Sequence, residues 1–158
     1  MIPIIPISVV TLAIKQLLAP DVAGLTIWDL PDLQTTILGR DCPLLFPEVR
    51  NGFVLNWSII PGTHSMEGGR MYTAVYELQY NLAYAQIGAE RSLYAILPAM
   101  NDLLKLIIAA VINHDLLGGA VVELGIAGIT GNGIVFDPDG DQFYGKTFNF
   151  QVTEYIGG

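Results

Sequence analysis

Nucleophilic catalysis needs a nucleophile, a base and an acid that orients the base, brought together in space. The chain has two histidines, His64 and His114, and one cysteine, Cys42. His64 stands beside Ser65 and Glu67 in the glycine-rich stretch PGTHSMEGGR (61–70), and neighbours in a flexible loop make a poor triad. His114 falls where a long helix should end, a place where the helix dipole favours a cation. Cys42 has no partner for an internal disulfide and reads as a small buried thiol in a strand. Three or four Cys or His ligands at coordinating spacing would be needed for zinc, and that spacing is absent.

Asp137, Asp139 and Asp141 imitate the opening of a calcium loop, but the bidentate acid that should close it is replaced by Phe148. A solvated β-turn on Pro138, Asp139 and Gly140 accounts for the stretch better. The glycine strings at 118–119 and 131–133 are followed by strands, not by the helix that a phosphate-binding loop requires. No enzyme, cofactor or metal site is expected.

The 158 residues fit one domain, 1–158, and are 52% hydrophobic with only 14% charged. Mean hydropathy is +0.49. An average soluble domain has about 25% charged residues. Such apolarity is hidden either in a bilayer or between subunits. A membrane span needs about 18 consecutive apolar residues, and Asn101, Asp102 and Lys105 interrupt the best candidate. The N-terminal MIPIIPISVV has no basic flank and two early prolines, so a secretory signal is not expected either. Assembly becomes the expectation. The net charge is −8, and Lys15, Arg40, Arg50, Arg70, Arg91, Lys105 and Lys146 stand singly, so nothing grips nucleic-acid phosphates.

The elements that would carry such a surface are legible from periodicity. Ser8 should cap a helix over 9–18, with Val9, Leu12, Ala13, Leu17 and Leu18 as its apolar stripe. A brief extended piece, LTIWDL, follows, and 32–41 is either a turn of helix or a loop. The stretch CPLLFPEV reads as a strand that lies at an edge or enters the sheet at Pro43. Alternation over 53–60 puts Phe53, Leu55, Trp57 and Ile59 on one face. Over 71–85, Tyr72, Ala74, Tyr76, Leu78, Tyr80, Leu82 and Tyr84 share a face. That strand would span about 50 Å at ~3.3 Å per residue, so it must bend at a bulge or project as a hairpin arm. Its tyrosines serve as core cover, as an interface, or as each at different ends.

A helix over 90–113 dominates the chain, with Leu93, Ile96, Leu97, Met100, Leu103, Leu104, Ile107, Val111 and Ile112 as its stripe. Opposite lie Ala95, Pro98, Asp102, Lys105, Ala109 and Asn113, where Asp102 and Lys105 can pair across one turn. Strands over 121–129, 134–136 and 143–155 complete the order. The fold class is α+β: an antiparallel sheet of four to five strands, two helices packed on it, and one long hairpin arm.

Asp115, Leu116, Leu117, Gly118 and Gly119 at the end of the long helix, and Tyr144, Gly145, Phe148, Phe150, Val152 and Tyr155 in the last strand, give the second half a recognisable pattern. It resembles the tail-terminator (tail-completion) proteins of long-tailed bacteriophages. The opening helix followed by a proline-flanked strand resembles their first half. The resemblance implies a virion protein of the tail or neck, assembled in the host cytoplasm. Six copies would form a ring that caps the tail tube, stops its polymerisation and meets the head-tail connector. DNA would pass through an acidic lumen without specific binding, and no membrane would be involved. The contact elements would be the arm, with Thr63, His64, Met66, Glu67, Arg70 and Tyr72, and the acidic loop, with Asn132, Asp137, Asp139 and Asp141. Alternatives are another neck or head-completion protein, a tube subunit, or, from a different class, a small ligand-binding or hydrolase domain.

Overall fold

Two long strands carry the molecule. In the computed structural model, which describes residues 5–34, 36–38, 41–64, 70–88, 92–119, 121 and 123–157, β4 (Arg70–Gln86) and β7 (Gln142–Gly157) pair antiparallel. The ladder runs from Met71 opposite Gly157 to Gln86 opposite Phe143. Its single register shift lies between Ala83 and Ala85, a bulge that bends the strand as its length demands. The alternating pattern does what period two dictates: Tyr76, Leu78 and Tyr80 on β4 face the same core as Phe148, Phe150 and Val152 on β7.

The other strands attach to this pair in the order β1 (Thr26–Ile27), β2 (Leu44–Pro47), β4, β7, β5 (Glu123–Thr130). Beyond the end of β2, the same flank of β4 is taken by β3 (Val54–His64). Beyond β5, the flank of β7 is taken by β6 (Ile134–Phe136). The fold class is α+β as expected, with seven strands where four or five were counted, because the short segments at 26–27 and 134–136 also join the sheet. The sheet is mixed, since β1 and β2 run parallel. The proline-flanked segment is not the edge: β1 lies outside it, and β2 starts just after Pro43.

Helix α1 (Ile7–Leu18) begins two residues earlier than its serine suggested. Pro6, extended at φ −62° and ψ 144°, is the cap, and its carbonyl accepts from the Val9 and Val10 N–H groups. Ser8 sits in the first turn, where its carbonyl accepts from Thr11 Oγ1 at 3.1 Å. The buried row is Val10, Ile14 and Leu18, spaced by four, while Val9 and Leu12 face outward. Helix α2 (Leu93–Asn113) is capped by Ser92, whose Oγ accepts from the Ala95 N–H. It buries Ile96, Met100, Leu103, Ile107, Ala110 and Val111, and its C-terminal half joins the cluster that holds Tyr76, Leu78 and Phe150. Ile112, expected in that stripe, is 69% exposed. Asp102 and Lys105 are both exposed and form no ion pair among the described residues.

With a mean hydropathy of 1.9, α2 is long and apolar enough to cross a membrane, although Asn101, Asp102 and Lys105 interrupt its apolar run. One face of the helix is committed to the protein core.

The reverse face of the sheet is not simply solvated. Ile37, Leu44, Phe46, Ala83, Val135 and Phe143 make a second, smaller core there, with Trp28, Leu33 and Cys42 packed against it. Cys42 lies just before β2 rather than in a strand and is half-buried. Burial, helped by the charge of Asp41, pushes its thiol up to about 11, which leaves it unreactive at neutral pH.

Gly145 marks the tightest packing between the long strands. A Cβ there would overlap the carbonyl oxygen of Leu82, whereas one at Gly125 would meet nothing within 4 Å. Gly145→Ala should therefore destroy the native fold or lower its melting temperature by more than 10 °C, the effect of a loss of about 3 kcal/mol or more. Gly125→Ala should cost little, as read by thermal unfolding of the two variants side by side.

Lys15 pins α1 to the loop before β2 through Asp32 at 2.7 Å, with Asp29 at 4.0 Å. Burial of Asp32 opposes its charge, but the hydrogen bonds from Lys15 Nζ and the Asp29 N–H outweigh it and hold its pKa below the usual 3.8. A lowered folded-state pKa stabilises above the unfolded value and is lost as pH falls through the folded one. The pair is partly exposed, so Asp32→Asn should cost at most about 1 kcal/mol at pH 7. In urea titrations the gap from wild type should narrow as pH falls below the usual carboxylate range.

Candidate assembly surfaces

The arm is built by a defect in β3. Phe53 and Asn56 both have φ 57°, and the register with β4 slips between Leu55 and Ser58. The slip ends the simple alternation expected over 53–60. Phe53 stays buried against Tyr80, while Trp57, Ile59 and Ile60 are each more than half exposed. Trp57 lies over Tyr76 at a ring separation of 4.4 Å. Cross-strand register puts Ile59 beside Ala74 and Ile60 beside Thr73, so the two isoleucines stand on opposite faces. On the second face Tyr155, 42% exposed and opposite Thr73, extends the row. The expected two-stranded hairpin is thus a three-stranded arm of β3, β4 and the end of β7, with apolar side chains on both faces.

A buried polar contact fixes the root of the arm. The Tyr76 hydroxyl donates to Glu154 Oε2 at 3.0 Å, with both residues almost fully buried. Burial, and then the charge and hydrogen bond of Glu154, push the phenol pKa well above its usual value. The tyrosine ladder divides along its length: Tyr76 and Tyr80 are core, and Tyr72 and Tyr84 are half-buried.

Of the residues singled out in the sequence, Met66 and Glu67 lie outside the described residues. Thr63, His64 and Arg70 are placed by their backbone alone, at the tip ends of β3 and β4, with His64 opposite Arg70. Tyr72 stands between Pro61 and Ile156. Asn132, Asp139 and Asp141 are exposed, and Asn132 Oδ1 accepts from the Ile134 N–H at 3.2 Å. Asp137 departs from the solvated turn expected for it. It is fully buried, and its Oδ1 accepts from the Asp141 N–H at 2.8 Å while the Gly140 N–H closes the turn on its carbonyl. Its carboxylate shapes the loop and offers no contact surface. The arm and the acidic loop are not brought together, since they sit at opposite ends of β7.

Beside the acidic loop lies a polar cleft of about 340 Å³ lined by Glu48, Arg50, Gln79, Asn81, Phe136 and Thr147. Asn81, almost fully buried, donates to Glu48 Oε2 and to the Phe136 carbonyl and accepts from Thr147 Oγ1. Glu48 Oε1 accepts from the Arg50 N–H, and the Arg50 guanidinium lies 5.6 Å from the centre of the Phe136 ring. Periodicity gave no sign of this network, because Asn81 reads as an outward residue on β4. It holds no nucleophile paired with a base. Among the described residues no three His, Cys, Asp or Glu side chains converge on a metal-sized site. His114, the other titratable candidate, ends α2 and binds Asp21 at 2.7 Å, tying that helix to the turn after α1.

A second apolar surface runs along the helices. On α2, Tyr94, Leu106 and Ile112 are exposed together with Ala95, Pro98 and Ala109, and on α1 Val9 and Leu12 are exposed as well. No protein-family model matches the chain, and no curated protein matches it.

The polar network is a fold element by its chemistry. Asn81→Ala should leave Glu48 Oε2 and Thr147 Oγ1 without partners and cost about 1–3 kcal/mol. Denaturant unfolding should show a lower midpoint with an unchanged slope.

Proposed function

We propose that the chain is a structural subunit of a long-tailed bacteriophage, a tail terminator that closes into a ring of about six copies on the end of the tail tube. The ring would stop tube polymerisation and offer its other face to the head-tail connector, in the virion, with DNA passing through an acidic lumen. The protein would have no catalytic role. The observation that carries this is the arm: Trp57, Ile59 and Ile60, each more than half exposed on β3. Side chains of that kind destabilise an isolated domain in water and gain when another subunit covers them. Ring closure needs two different patches on each subunit, one meeting the other in the next copy. The arm and the outer surface of α2 are two such patches. The net charge of −8 accords with a lumen that DNA does not adhere to.

Assembly of tubes with the cognate tube protein tests this. The wild-type chain should cap tubes at short, uniform length, seen by electron microscopy. Ile59→Glu combined with Ile60→Glu changes only exposed positions and should leave the melting temperature within a few degrees. It should yield long, open tubes. Capping by this variant as efficient as by wild type would remove the arm from the mechanism.

A further inference from the structure

A second docking feature lies at the other flank of the sheet, where it shares Ile112 with the outer surface of α2. Strand β5 is an edge: it pairs with β7 and, among the described residues, with no other strand. The Leu124 N–H points away from β7, where it donates to the Asp115 carbonyl at the end of α2. Residues two apart in an antiparallel ladder share orientation, and the register is unbroken from Leu124 opposite Val152 to Ile126 opposite Phe150. The N–H and C=O of Ile126 therefore also face outward, with no strand to receive them. Above this edge α2 overhangs, and Ile108 and Ile112 face Leu124 and Ile126 across a groove of about 360 Å³. Asp115 and Glu123 line the same groove, and neither is in an ion pair among the described residues.

Three recognition elements thus coincide: a strand edge that no other strand takes, an apolar wall across the groove, and two carboxylates. Main-chain pairing supplies affinity in such grooves and side-chain pockets supply selectivity. We propose that this groove receives an extended segment of a different protein, which adds to β5 as a further strand. Its aliphatic side chains lie against Ile108 and Ile112, and one lysine or arginine meets Asp115 and Glu123. A second copy of this chain is a poor occupant on charge. Its own arm edges are β3 and the end of β7, with no Lys or Arg from Val54 to His64 or from Gln151 to Gly157 to meet the two carboxylates. The hexapeptides acetyl-KVTVTV-amide and acetyl-EVTVTV-amide, fluorescently labelled, serve as probes for the intact chain.

The basic peptide should bind about tenfold or more tightly than the acidic one. Asp115→Asn with Glu123→Gln should abolish that preference. Ile126→Pro removes an outward N–H and no bond to β7, so the fold survives and binding of the basic peptide is lost. Hydrogen exchange at Ile126 should slow when the basic peptide binds wild type. No binding at millimolar peptide, equal binding of the two peptides, or binding unchanged by Ile126→Pro would overturn the proposal. So would an oligomer of the wild-type chain that Ile126→Pro dissociates, because a second copy would then occupy the groove. Tube capping and peptide binding are separate readouts, so failure of one leaves the other standing.

Discussion

The ladder between β4 and β7 is the constraint on which the rest depends. Each strand is about three times the usual length, and they pair over nearly their whole extent. Antiparallel pairing with period two then decides which side chains meet the helices. Everything else is attached to a flank of this ribbon: β2 and β3 in succession along β4, and β5 and β6 in succession along β7. The two helices cover one face over the middle of the ribbon, and a smaller core covers part of the other face near its β6 end. The uncovered remainder is the arm.

This geometry explains why so apolar a chain leaves so much apolar surface outside. A ribbon about 50 Å long outruns the cover that two helices can provide, and α2 is apolar around more of its circumference than one sheet can bury. Trp57, Ile59 and Ile60 at the arm, and Tyr94, Leu106 and Ile112 on α2, are the two consequences. Polar anchoring is spent where the parts must hold angle: Tyr76 to Glu154 at the arm root, Lys15 to Asp32 at α1, and His114 to Asp21 where the two helices end.

Long, strongly periodic elements were the most legible in the sequence. The alternation from Tyr72 to Tyr84 and the helical stripe from Ile96 to Val111 name their own partners, because tertiary packing and local period agree there. Where the structure departs from expectation, a specific local contact outweighed the pattern. Pro6 displaced Ser8 as the cap of α1 because an extended proline already offered its carbonyl to the first turn. The bulge between Leu55 and Ser58 separates Leu55 from the face that Trp57 and Ile59 share, which no count of alternating residues anticipates. Asp137 belongs to a sequence that spells a solvated turn, yet its carboxylate is buried by the loop it organises. Of the candidate contact residues, Tyr72, Asn132, Asp139 and Asp141 have side chains at least partly open to solvent. The groove beside β5 could not be read from the sequence at all, since it exists only where α2 overhangs a strand edge.

The central claim is that this surface pattern belongs to a subunit and not to a solitary domain. Its most direct test is the mass of the full-length chain in solution, by sedimentation velocity across a wide concentration range, alone and with tube protein. The account predicts a discrete closed assembly near six times the 17.1 kDa chain mass, formed alone or on addition of tube ends. A species that stays at the mass of one chain under every one of these conditions would contradict it.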